Sequence, residues 1–263
     1  MRKLSTFGKE YSAYYDLLYH DKKYDEECDY VERLFDRFSS RKVASVLDVA
    51  CGTGGHAIPL AERGYDIHAS DLSSNMVKIA RVRLRQSVGA NRMRLAVRDM
   101  RHLSDLRKFD AALCMFASLG YMSSTRDVLG ALGSIRRCLK PGGLLIFDVW
   151  NGLAVLTVKP SIRRKKVRQG GITLLRRATP TLDSLMNLCK VVYDISITDE
   201  EGPRAKFRET HVMRYFFPRE VRDLLAFCGY ELLSLHPFLE SKRDITSGDW
   251  NITAVATPRP GYV

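Results

Sequence analysis

The sequence predicts an α/β protein: a doubly wound sheet of seven strands with an antiparallel β insertion ahead of its last helix. Three observations carry this. Between residues 43 and 149, short apolar runs alternate with helical patterns, the signature of parallel βαβ units. The first such run, 43–49, leads directly into a loop holding Gly52, Gly54 and Gly55, the layout of a nucleotide-type cofactor site at a first strand-to-helix turn. After Trp150 helical periodicity stops, and strand-like runs separated by turn signals take over.

The first forty residues read as helical. Tyr11, Tyr14, Tyr15, Leu18 and Tyr19 share one side, and Tyr30, Val31, Leu34, Phe35 and Phe38 define a second amphipathic helix. Strand 43–49 is followed by a helix over 55–63, strand 65–69 by a helix over 73–87 with Ser73 as its N-cap. Strands over 93–97 and 109–115, a helix over 125–139 and a strand over 144–149 complete the first half. The insertion holds strand-like runs at 172–177, 188–198 and 205–216. Turns are expected at Gln169-Gly170-Gly171, Thr179-Pro180-Thr181 and 199–203. Pro218 opens a helix running to Phe227, Gly229 caps it, and strands over 230–235 and 250–256 end the sheet. The expected division is an N-terminal helical cap and cofactor core at 1–150, the insertion at 151–216, and the end of the core at 217–263.

The 263 residues suffice for a large core. At 45% apolar and 27% charged residues, the composition is that of a globular protein. No apolar run approaches the roughly 18–20 residues that span a bilayer. The N-terminus lacks a clean apolar signal segment, so a cytoplasmic protein is expected, without membrane association. The six cysteines are scattered, with no CxxC and no His/Cys cluster, which suits reduced, buried thiols and no metal site. Of the net charge of +12, a notable part lies at Lys159, Arg163, Arg164, Lys165, Lys166, Arg168, Arg176 and Arg177, with no acid between them. Two readings stay open: a surface for an anionic acceptor or a nucleic acid, and a solvated hairpin face.

The glycine loop alone is ambiguous. Gly52, Gly54 and Ala57 satisfy the dinucleotide pattern GxGxx(G/A), and Asp71 stands where a ribose-binding acid would, so a nicotinamide dehydrogenase is one reading. Three features favour S-adenosylmethionine: Asp48 ahead of the loop, Val97-Arg98-Asp99-Met100 at a third strand end, and Leu139-Lys140-Pro141-Gly142-Gly143 before the fifth strand. In this order the motifs resemble those of the class I S-adenosylmethionine-dependent methyltransferases, over roughly residues 43–150. That resemblance implies a Rossmann-like methyltransferase sheet and a methyltransferase activity. The flanks are similar to nucleotide-linked amino-sugar N-methyltransferases: Tyr15-Asp16-Leu17-Leu18-Tyr19 with Lys23-Tyr24, Asp99-Met100-Arg101, Phe109-Asp110-Ala111, the run from Cys114 to Tyr121, and Thr210-His211-Val212 with Phe216-Phe217. Glycine N-methyltransferase-like enzymes share several of these. Asp148-Val149-Trp150-Asn151 and Ser247-Gly248-Asp249-Trp250-Asn251 depart from the sugar-enzyme pattern, which leaves the acceptor open.

Roles follow from strand-end position and from the resemblance. Asp48 organises the loop or meets the cofactor's ammonium through a water, and the backbone of Ala50, Gly52 and Gly54 approaches its methionine part. Asp71 can accept from both ribose hydroxyls, or act as a helix-capping acid. Asp99 can accept from the adenine amino group, or form a turn, while the Met100 backbone donates to the ring. Leu72, Met76, Met100 and Met115 offer apolar contacts, with a pure core role for Met76 equally open. The resemblance implies that Tyr15 or Tyr24 meets the cofactor carboxylate and that Tyr19 covers the methyl-transfer centre. Tyr121 is a candidate acceptor contact and His211 a candidate base, each with a packing role as its alternative. His56 is expected to order the glycine turn. A sulfonium activates its own methyl group, so the protein chiefly aligns the nucleophile and excludes water. The expected function is methyl transfer to a small molecule, most plausibly the amine of a phosphate-bearing sugar. The rivals are RNA or protein methylation and a non-catalytic cofactor-binding protein. A homodimer through the insertion is a further implication of the resemblance.

Overall fold

The computed structural model describes residues 6–103 and 108–261. One seven-stranded sheet holds β1 (Ser45–Val49), β2 (Asp66–Asp71), β3 (Met93–Val97), β4 (Phe109–Cys114), β5 (Leu139–Trp150), β10 (Tyr230–Pro237) and β11 (Asn251–Pro258), in the order β10-β11-β5-β4-β1-β2-β3. The first five are parallel; β11 runs antiparallel to β5 and pairs antiparallel with β10. The order turns back at β1, with β2 and β3 on one side and β4 and β5 on the other. That reversal opens a crevice at the carboxyl end of β1.

β1 and β4 are buried along their whole length, as expected of central parallel strands covered on both faces. Side-chain alternation sorts the core into two layers. Val46, Ile67, Leu113 and Ile146 pack under α3 (Tyr24–Phe38) and α4 (Ala57–Glu62). Leu47, Val49, Phe109 and Phe147 pack under α6 (Thr125–Arg137) and α8 (Pro218–Phe227). α5 (Ser74–Arg85) starts at Ser73, whose hydroxyl accepts the Met76 N–H as an N-cap should. At α8, the Glu220 carboxylate reaches back to the Phe217 N–H, and Pro218 takes the first helical position.

The insertion is a separate antiparallel sheet of four strands, β6 (Arg163–Gln169), β7 (Ile172–Asp183), β8 (Leu188–Asp199) and β9 (Gly202–Arg214), paired in sequence order. Here the structure corrects two expectations. The basic run 163–169 is itself a strand, joined to β7 through Gly170 and Gly171, whose φ values of 57° and 74° suit a two-residue hairpin turn. Thr179-Pro180-Thr181 is not a turn but lies inside β7, with Pro180 opposite Val191. β6 pairs with β7 only as far as Ala178, so Pro180 sits where β7 has become an edge and needs no N–H.

Three short helices depart from the expectation, two of them read as one and the third not foreseen. The N-terminal tyrosine helix breaks at Tyr14 into α1 (Lys9–Ala13) and α2 (Tyr15–Leu18), and α7 (Gly152–Thr157) follows β5 directly, capped by the Asn151 side chain. α1 and α2 are wedged between the two sheets: Tyr11, Tyr15 and Leu18 pack with Met76 of the core and with Val167, Leu174, Ile195 and Ile197 of the insertion. All six cysteines are buried free thiols. No described helix is long and apolar enough to cross a membrane.

Candidate active site

The loop after β1 is built by backbone strain and by anchors from the helices above it. Ala50 has φ 149°, a conformation that costs a non-glycine residue about 1–3 kcal/mol, and Gly52 and Gly54 follow at 55° and 85°. The Thr53 hydroxyl donates to Asp16 of α2 at 2.6 Å, and Arg83 of α5 reaches the Thr53 carbonyl at 3.2 Å. His56 is buried and bonded through Nε2 to Glu27 of α3 at 2.6 Å, so it does order the turn. Lys22 pairs with the same Glu27. Tyr24 closes over Gly55, where a Cβ would come within 2.3 Å of its ring.

Beneath the loop, Asp48 is 2% exposed and its Oδ2 has no hydrogen-bond partner among the described residues. Burial holds its carboxyl up at about 7, with His56 opposing that shift and Asp71 adding to it. An orphaned carboxylate oxygen under a strained glycine loop is a group prepared to receive a cation or a donor.

Asp71 ends β2. Its Oδ2 accepts the Gly52 N–H at 2.9 Å and its Oδ1 the Ser73 N–H at 2.8 Å, so one carboxylate holds both the loop and the start of α5. Burial raises its pKa against these two bonds. Each oxygen retains acceptor capacity after one bond, so the capping role and a diol contact are compatible. The next residue, Leu72, is 64% exposed, an apolar face at the strand edge. Met76, in contrast, is 1% exposed and packs with Tyr11, Tyr15 and Leu18; its Cε lies 4.0 Å from where a Gly52 Cβ would stand. Met115 is likewise a core side chain, and Met100 packs partly buried against the core.

Asp99 is more committed than its strand-end position implied. The Arg101 guanidinium grips it at 2.6 to 3.1 Å, the Arg101 N–H closes a turn onto it at 2.9 Å, and Arg101 also bonds Asp127. The guanidinium holds its carboxyl below the usual range. Asp99 is therefore both a turn acid and an ion-pair partner; an amino-group contact would share its oxygens with Arg101.

Across the crevice, α1, α2 and the inner face of the insertion enclose an aromatic cluster. The Tyr121 hydroxyl is 2.6 Å from His211 Nδ1, and the His211 ring contacts Phe7, Tyr11 and Tyr193 at centroid distances of 5.1, 5.1 and 5.0 Å. His211 is 2% exposed and its Nε2 has no hydrogen-bond partner among the described residues. Burial, with Arg176 adding, lowers its pKa to about 4. Burial pushes the Tyr11, Tyr15 and Tyr121 hydroxyls far above their ordinary value, so all stay protonated. Tyr19 sits 4.7 Å from the Tyr15 ring and edge-on to Phe116 at 5.3 Å.

The fifteen residues singled out by sequence thus fall into three groups, with Met100, partly buried against the core, among the packing residues. Asp48, Ala50, Gly52, Gly54, Asp71 and Leu72 line the strand edge, with Tyr15 and Tyr24 packed above the loop and Asp99 at the end of β3. Tyr19, Tyr121 and His211 belong to the aromatic cluster, and Met76 and Met115 are packing residues. Sequence reading missed Phe7, Phe116, Tyr193 and Glu209 as members of the cluster. Phe116 and Ala117 carry a signal only coordinates reveal, consecutive φ values of 63° and 54° just after β4.

A family described as a methyltransferase domain matches residues 46–143. The chain is 34% identical over 222 residues to a dTDP-3-amino-3,4,6-trideoxy-alpha-D-glucopyranose N,N-dimethyltransferase of Streptomyces venezuelae, covering 84% of this chain and 90% of that protein. It is 35% identical over 146 residues to a glycine/sarcosine N-methyltransferase of Parasynechococcus marenigrum (strain WH8102), covering 54% of this chain and 49% of that one. Among solved structures, a sugar N-methyltransferase from Streptoalloteichus sp. ATCC 53650 superposes with a TM-score of 0.77 at 25% identity, covering 93% of this chain and 92% of that chain. With the glycine loop, the strand-end acids and the sheet order in place, these matches are decisive: the chain belongs to the class I S-adenosylmethionine-dependent methyltransferases.

Proposed function

We propose that this methyltransferase acts on the amine of a small, phosphate-bearing sugar or a similar metabolite. The observation that carries the reading is the closed aromatic cluster between the cofactor edge and the insertion, with the Tyr121–His211 pair at its centre. Such a cluster suits a compact acceptor that must be desolvated. The relatives named as amino-sugar and glycine N-methyltransferases support an amine as nucleophile.

In this reading S-adenosylmethionine, when bound, supplies an activated methyl on a sulfonium. The residues at the strand edge fit it chemically. Asp48 would face its cationic methionine end, Asp71 its ribose hydroxyls, Leu72 and Met100 its purine, and Asp99 the purine's amino group where Arg101 leaves capacity. The backbone of Ala50, Gly52 and Gly54 would admit close approach, and Tyr15 or Tyr24 would donate to the carboxylate. Tyr19 would cover the transfer centre, and Tyr121 would touch the acceptor. His211, uncharged at neutral pH, would offer its Nε2 lone pair to an N–H of the acceptor amine in the tautomer whose Nδ1–H donates to the Tyr121 oxygen. Homodimerisation through the insertion and a cytoplasmic location belong to the same proposal. So does a division at 1–150, 151–216 and 217–263.

The test is transfer of label from labelled S-adenosylmethionine to amino-sugar phosphates, amino-sugar nucleotides, small amines and total RNA. Label in a sugar amine supports the reading. Label only in RNA, or none in any acceptor despite tight binding of S-adenosylhomocysteine, rejects it.

A further inference from the structure

Arg176 is on the inner face of the insertion, in register with Lys165 of β6 and Ile195 of β8. Lys165 sends its ammonium to Asp21 at 2.6 and 2.8 Å. Arg176 has no carboxylate partner among the described residues. Its guanidinium carbon lies 5.1 Å from the Tyr193 ring and 5.8 Å from the Tyr19 ring, and Nη1 is 3.5 Å from the Tyr19 hydroxyl. Its Nε is buried without a hydrogen-bond partner. The inner-face acid Glu209 does not answer it, because that carboxylate accepts the N–H groups of Phe7 and Gly8.

Aromatic rings satisfy the flat faces of a guanidinium but leave its N–H edge wanting an acceptor. A shielded cation with an open edge is costly, whereas a planar or tetrahedral oxyanion would complete it with paired, charge-assisted bonds. The Tyr19 hydroxyl oxygen accepts from Nη1 at 3.5 Å, which leaves Nε and the rest of the N–H edge without an acceptor. Tyr19 also reaches Phe116 at the end of β4, so the guanidinium lies one side chain away from the strand edge that holds the cofactor residues.

We infer that Arg176 is the specificity-determining residue for a compact oxyanion, carboxylate or phosphate, carried by the acceptor close to its reacting amine. This deepens the amine-methyltransferase reading and rests on it. It places the anion inside the aromatic cluster, apart from the exposed cations Arg164, Lys166 and Arg177 on the outer face of the hairpin.

The probes are sodium acetate and inorganic phosphate, titrated calorimetrically into the full chain with and without S-adenosylhomocysteine, for the wild type, R176M and R176K. At least one anion is expected to bind the wild type and to bind R176M at least about tenfold more weakly, the loss of a charge-assisted pair. R176K is expected to retain part of the affinity. Which anion responds separates a carboxylate acceptor from a phosphate one. The inference is overturned if neither anion binds the wild type, or if R176M binds as well as the wild type; should R176M not fold, R176K binding like the wild type despite losing the planar fork overturns it. Each variant's affinity for S-adenosylhomocysteine is read in parallel. A wild type that binds the anion but not S-adenosylhomocysteine would sink the methyltransferase reading and leave the anion site standing.

Discussion

The Tyr121 hydroxyl and His211 Nδ1 stand 2.6 Å apart, joining the segment after β4 to β9 of the insertion. That bond occupies one ring nitrogen and leaves Nε2 as the nitrogen available to a ligand. Tyr121→Phe should lower kcat on an amine acceptor by about tenfold or more, since it releases the imidazole from its orientation. Affinity for S-adenosylhomocysteine, measured by calorimetry, should not change. Unaltered kcat would return the pair to a packing role.

The same histidine gives a pH signature. Its folded pKa of about 4 lies below the ordinary 6.5, so the unfolded chain binds the extra proton and stability declines as pH falls from 6.5 towards 4. His236, also at about 4, adds to the trend, while the raised carboxyls Asp48, Asp71 and Glu209 oppose it. The informative quantity is therefore the difference in Tm between wild type and His211→Gln. It should favour the variant increasingly as pH drops through this window, and a pH-independent difference would contradict the assignment.

Asp48 predicts the opposite sign. Its folded pKa of about 7 exceeds the ordinary 3.8, so it contributes stability that is full below 3.8 and lost as pH rises towards 7. Asp48→Asn should gain Tm relative to the ligand-free wild type over that range, then hold its advantage above it. The variant should also bind S-adenosylmethionine more weakly. Stability gained together with full cofactor affinity would remove Asp48 from the cofactor site.

Asp71→Ala deletes the acceptor for Gly52 and Ser73 as well as the proposed diol contact. Affinity for S-adenosylhomocysteine should fall by roughly 1–3 kcal/mol or more. Wild-type affinity in a folded variant would reject the ribose assignment.

Gly55→Ala would drive a Cβ to within 2.3 Å of the Tyr24 ring. Overpacking of this kind costs about 1–3 kcal/mol, read as a lowered midpoint in urea. An unchanged midpoint would show that Tyr24 moves freely, and would weaken its role over the loop.

Much of the fold was legible because periods differ: 43–49 and 144–149 read as strands and 125–139 as a helix from side-chain spacing alone, against β1 at Ser45–Val49, α6 ending at Arg137 and β5 already starting at Leu139. β6 escaped because its alternation is cationic on both faces, with Lys165 inward and Arg164 and Lys166 outward, so no apolar period marks it. Pro180 misled because edge exposure, a tertiary property, decides whether a strand tolerates proline. At the site, the strand-end acids were visible as motif positions, whereas the Arg101 grip on Asp99 depends on a turn. The inward aim of Arg176 depends on the pairing of β7 with β6 and β8, and Phe7 joins His211 only through the path of the N-terminal segment.

The most direct test is a steady-state assay with labelled S-adenosylmethionine and paired acceptors, glucosamine 6-phosphate against glucosamine, run with wild type and Tyr121→Phe. The account predicts N-methylation of the phosphorylated amine, preferred over the neutral sugar and impaired in the variant. Label confined to RNA or protein in a companion reaction, or equal transfer by both enzymes, would contradict it.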